Sequence, residues 1–205
     1  ISLAIGYGAI GLLAVAIPSK LPPHVAADTR SLPGGRGAVG LLAIALYVAG
    51  IMATWTYVAP LGLQVGRPPE GIGRAISIAL GWQVIAGLLS AVIASRVNVF
   101  FAIVISGIGS IIGVVAMLIT SGDGLFLTGV ILVAFFWIFA APFMVPFIIA
   151  IDRSGRAPLH VMTVQLFGLA AGPAFASLAV RPQDVSGAML VGIALFATAL
   201  SLIIP

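Results

Sequence analysis

The 205-residue sequence has no cysteine, which excludes disulfides, thiolate metal sites and a cysteine nucleophile. Charge is almost as scarce. Nine Lys/Arg and five Asp/Glu make up 7% of the residues, against about 25% in soluble domains. A chain with so few charges cannot cover its surface against water, so a soluble globule is excluded. The single lysine, Lys20, sits in a polar stretch. That removes a retinal protein, which needs a lysine in its last helix for the Schiff base. No carboxylate lies inside an apolar run, so neither an aspartyl dyad nor a carboxylate metal site is offered, and no metal or cofactor is expected.

Hydrophobic residues account for 61% of the chain. Crossing a hydrocarbon core of about 30 Å takes roughly 20 apolar residues in a helix. Seven uncharged stretches are candidates, at about 1–17, 38–62, 75–95, 98–120, 125–151, 158–180 and 187–204. Backbone groups in lipid must bond within their own segment, and these runs are too long and too evenly apolar for barrel strands. The expected fold is all-α and polytopic, with seven transmembrane helices and the lipid bilayer as partner. The net charge of +4 comes from basic residues in the breaks between runs, so no nucleic-acid partner is expected. Lys20, Arg30, Arg36, Arg96, Arg153 and Arg156 fall in alternate loops; Arg67, Arg74 and Arg181 fall in the others. The first set is therefore expected on the cytoplasmic side of a cell (inner) membrane, with the C-terminus cytoplasmic too.

Residues 18–37 contain Pro18, Pro22, Pro23, Pro33 and the pair Gly34-Gly35. They read as a cytoplasmic linker between the end of one bundle (1–17) and a six-helix bundle at 38–205. An ordinary long loop is the alternative. Sliding the sequence by 82 residues superposes Trp55-Thr-Tyr57-Val-Ala59-Pro60 on Trp137-Ile-Phe139-Ala-Ala141-Pro142. The same offset superposes Gly73-Arg74-Ala75 on Gly155-Arg156-Ala157, Gln83 on Gln165, and Glu70 on Asp152. Repeats of about 38–120 and 121–205 each hold three helices, so the second enters the membrane from the opposite side. A 3+3 inverted repeat is the mark of a secondary transporter with its solute site near the midplane.

Six helices preceded by a long linker, with the loop Asp152-Arg153-Ser154-Gly155-Arg156, resemble the C-terminal half of a major facilitator superfamily transporter. Gly168-Leu-Ala-Ala-Gly172-Pro173 resembles that family's glycine–proline antiporter stretch, although there it belongs to the fifth helix and here to the counterpart of the eleventh. The resemblance implies alternating access against a missing N-terminal half of the same transporter, with a small-molecule solute and no catalysis. Efflux of an amphipathic compound fits an apolar half-cavity better than sugar or organic-anion transport does.

The candidate solute-binding residues are Trp55, Tyr57, Phe136, Trp137 and Phe139, with the amides Gln83 and Gln165. Aromatic faces would stack on the solute and amides would bond it; helix packing and an interhelical hydrogen bond are the alternatives. His160, inside the sixth stretch, is the candidate for a coupling proton, or else a loop-bonded residue. Pro60, Pro142, Pro146 and Pro173 each free a carbonyl and are candidate hinges or static kinks. Gly168 and Gly172, with Gly109 and Gly113, form small-residue patterns for close helix contact. Asp152, Arg153 and Arg156 would tie helix ends together and bias the inward/outward equilibrium, as the resembled loop implies; otherwise they only set topology. A seven-helix receptor or scaffold is one competing reading. An intramembrane serine enzyme using Ser110 and His160 is another.

Overall fold

The computed structural model describes residues 33–119, 122–152 and 154–203, and these fold as an all-helical bundle without strands. The six helices are α1 (Gly35–Gln64), α2 (Pro69–Ile93), α3 (Val99–Leu118), α4 (Asp123–Ile151), α5 (Val161–Ser177) and α6 (Ser186–Ile203). A 3-10 turn, Ala157–His160, leads into α5. All six are long and apolar enough to cross a bilayer, counting the turn with α5, as in a multi-pass membrane protein. The expected first span and the linker up to residue 32 lie outside the described residues.

Five of the six helices begin before, or within a residue of, the point where their uncharged run begins; α5 is preceded by its 3-10 turn. Arg36 sits in the first turn of α1, Glu70 and Arg74 in the first two turns of α2, and Asp123 opens α4. A helix continues through the polar interface while its ends still find hydrogen-bond partners, so the absence of charge marks only its lipid-embedded part. Pro69 starts α2 where its missing N–H costs nothing. Asn98 caps α3, accepting from the amides of Phe100 at 2.9 Å and Phe101 at 3.3 Å.

The packing is layered. α2, α4, α1 and α5 form a row in that order, and α3 and α6 back the middle of it, α3 against α4 and α6 against α1. α1 is the most enclosed helix; α2 and α5 at the flanks are the most exposed and do not touch each other. α1 and α4 run antiparallel, since Gly40 meets Ile148 and Ile151 at one end while Gly62 meets Phe126 at the other.

Glycines set the close crossings. Gly168 and Gly172 of α5 lie on the α1 backbone at Ala45 and Ala49. Gly192 of α6 faces Gly50 and Thr54 of α1, and Gly113 of α3 faces Gly129 of α4. Gly109 receives the ring of Phe136. With little gain from hiding apolar surface in lipid, close van der Waals packing and interhelical hydrogen bonds hold helices together, and small residues permit it.

Candidate functional site

The row places the aromatic candidates on α1 and α4. Trp55 and Trp137 meet edge to face, with ring centroids 6.0 Å apart and planes at 63°. They therefore share one depth. Both are half-buried. Phe139 is buried and stacks with Phe135 at 5.7 Å, while Phe136 fills the groove over Gly109. Tyr57 packs both against the main core and against the small cluster of Ala53, Ala176 and Ala188, between α1, α5 and α6. The aromatics thus comprise a Trp pair, a phenylalanine ladder within α4, and a tyrosine that bridges the two apolar clusters.

Both amides occupy buried stripes of their helices. Gln83 continues the stripe of Ala75, Ala79, Ala86 and Ser90 on α2, the helix that packs on α4. Its amide nitrogen is buried with no hydrogen-bond partner. Gln165 lies between Val161 and Gly168 on α5 and donates to the sulfur of Met144 on α4 at 2.8 Å. An amide bonded only to a thioether, and another bonded to nothing, are both under-satisfied in an apolar interior.

Pro142 and Pro146 are exposed along α4, and each frees the carbonyl four residues earlier, Ile138 and Pro142. Pro60 does the same on α1 for Thr56, and Pro173 on α5 for Leu169. His160 ends the 3-10 turn and is the N-cap residue of α5, half-buried at the end of the bundle. α3 makes no contact with that turn, so Ser110 and His160 are not assembled as a pair.

The α4–α5 loop is built on one carboxylate. Asp152 accepts from the backbone of Ala157 at 2.8 Å and of Arg156 and Ser154 at 3.1 Å, and from the Ser154 hydroxyl at 2.7 Å. These bonds, Ala157's first, hold the carboxyl below its ordinary range. Gly155 turns the chain with a left-handed backbone (φ 69°). Gly37 of α1 packs directly on Asp152 and Ala157, so the loop joins α4, α5 and the start of α1. Arg153 lies outside the described residues.

The opposite end is closed by Gln64 and Arg67. Gln64 donates to Asp184 at 3.1 Å and accepts from Val185 at 2.7 Å, fixing the start of α6. The Ser186 side chain and amide, then Gln64, hold Asp184 below the ordinary carboxyl range. Arg67 follows a left-handed Gly66 (φ 79°), and its N–H bonds back to the Gly62 carbonyl at 2.9 Å. That reversal aims its guanidinium at α4, where it pairs with Asp123, donates to the Gly122 carbonyl at 2.9 Å and lies 4.6 Å over the Phe126 ring.

Sequence reasoning did not reach Tyr47. Its hydroxyl donates to the Phe136 carbonyl at 3.0 Å in the buried core, beside the Ser106 and Ser110 hydroxyls of α3. The signal available was a phenol and two serines, each spaced from the helix ends by apolar residues, where polar groups must find partners.

No family model matches the chain, and no curated protein matches it.

Proposed function

We propose that this chain is the C-terminal half of a secondary transporter resembling the major facilitator superfamily, moving a small solute by alternating access. The observation that carries this reading is an exchange of partners between helix triplets. α1 packs mainly on α5 and α6, and α4 mainly on α2 and α3. Swapping α1 with α4, α2 with α5 and α3 with α6 leaves this pattern unchanged, as two inverted repeats about an axis in the membrane plane would require. The Trp55–Trp137 contact fits an axis passing between them. The two glycine crossings, Gly50 with Gly192 and Gly129 with Gly113, are related by 79 residues, within a helical turn of the 82-residue sequence offset.

The face of the α2–α4–α1–α5 row opposite α3 and α6 would line the path with the missing N-terminal half. The unpartnered Gln83 amide, the weakly bonded Gln165 and the Trp pair would contact an amphipathic solute there, and efflux is the preferred direction. The end carrying Arg36, Arg96 and Arg156 would be cytoplasmic.

Because the chain has no cysteine, single replacements can be read without background. In membrane vesicles, membrane-impermeant maleimides are expected to label Gln165→Cys and Trp137→Cys, with labelling altered by a transported solute. Leu190→Cys, on the exposed side of α6, should stay inert. If both test positions are as inert as Leu190→Cys, they are packed and the solute path does not run there.

A further inference from the structure

Between the first turns of α2 and α4 lies a cavity of about 250 Å³, lined among others by Arg67, Arg74, Asp123, Ile78, Phe126 and Leu127. We propose that it binds the phosphodiester headgroup of an anionic phospholipid. The inference rests on the membrane-spanning bundle and is independent of the transport reading.

The first support is an arginine held in place at the cavity wall. The Arg67 side chain is only 11% exposed. Asp123, the Gly122 carbonyl and the Phe126 ring hold its terminal nitrogens and its face, while its Nε is buried with no hydrogen-bond partner. A guanidinium fixed this way loses little freedom on meeting a phosphate oxygen. Arg74, in the second turn of α2 and exposed, brings a second guanidinium to the same lining. Asp123 projects outward, its side chain 98% exposed, and offsets one of the two charges. The start of α4 adds amides that no side chain caps, since its N-cap residue is Gly122.

The second support separates a lipid from a soluble anion. α2 and α4 enter the bilayer side by side in the same direction, because Trp82 meets Phe135 and Gly87 approaches Ile138. Arg67 precedes α2 and Asp123 opens α4, so both stand at the helix ends; Ala75 and Leu127 lie deeper, level with the Arg74 backbone, and Ile78 lies one turn further in. Gly71, Arg74, Ala75 and Ile78 follow one face of α2, and Gly124 and Leu127 one face of α4. A polar rim above an apolar slot matches a phosphate above glycerol and acyl chain.

The test is lipid binding to the purified protein, read by native mass spectrometry and by thermal unfolding in phosphatidylcholine nanodiscs with and without phosphatidylglycerol. The net positive charge of the lining predicts a preference for phosphatidylglycerol of about fivefold. Arg74→Gln should remove it. So should Gly124→Leu, a bulky residue at a lining glycine where an added Cβ would meet nothing within 4 Å. Arg96→Gln, at the other end of α2, should keep it. A preference unchanged in both cavity variants, or lost equally in Arg96→Gln, overturns the site. Equal protection by inorganic phosphate would overturn the lipid assignment and leave a soluble-anion site.

Discussion

A Cβ atom placed on Gly129 would stand 2.5 Å from the carbonyl oxygen of Gly113. α3 and α4 therefore touch backbone to backbone, and neither can move without separating the helices. Gly129→Ala should destabilise the protein by about 1–3 kcal/mol through overpacking. Gly73→Ala, on an exposed face of α2 with nothing within 4 Å, should stabilise it by roughly 0.5–1 kcal/mol by favouring helix. Unfolding in detergent distinguishes them, and equal effects would mean the crossing is not the tight point.

The two amides should respond in opposite directions. Gln83→Leu replaces a buried, unpartnered nitrogen and should raise stability by up to about 1 kcal/mol. Gln165→Leu removes the bond to Met144 and should lower stability by roughly 0.5–1 kcal/mol. If Gln83 meets a solute, transport falls while thermal stability rises. Destabilisation by Gln83→Leu would instead assign that amide to packing.

Acid should loosen the α4–α5 loop. The folded state favours the ionised Asp152, so the stability this cap contributes is complete above the ordinary carboxyl range, near pH 4. It is lost as pH falls through the lowered folded value. Asp184 acts in the same direction at the other end. Thermal scans from pH 7 to pH 2 should show a steeper fall for the native chain than for Asp152→Asn, which starts lower at pH 7. Parallel curves would remove Asp152 from the account.

Arg67 should matter more than its ion pair. Asp123 is almost wholly exposed, so Asp123→Asn should cost under about 1 kcal/mol and less at high salt. Arg67→Ala also loses the Gly122 carbonyl bond and the face of Phe126, and should cost roughly 1–2 kcal/mol more. Matching losses in the two variants would show that the ion pair alone holds this end together.

Six helices were legible in the sequence because lipid imposes one rule on every residue of a span, and composition alone reports it. The ends were less legible: Arg36, Glu70, Arg74 and Asp123 look like loop residues, yet begin helices in the interface. The small-residue patterns at Gly109-Gly113 and Gly168-Gly172 were readable as contact surfaces, but not which helix each would meet. Among the candidate site residues, the equal offset of Trp55 and Trp137 was visible in the sequence, whereas their contact, the packing of Tyr57 on the alanine cluster and the placement of Phe136 over Gly109 were not. An apolar helix presents similar chemistry on all sides, so its pattern does not say which face turns inward.

By itself, then, the sequence determined a chain that must cross the bilayer as helices, because its uncharged runs allow no other hydrogen-bonded state there. Only the tertiary structure decided that α1 packs with α5 and α6 while α4 packs with α2 and α3. It also decided that Arg67 is aimed at α4 and that Gln83 is left without a partner. Those outcomes depend on which small residues let which backbones approach, a property of pairs of helices and of no single segment.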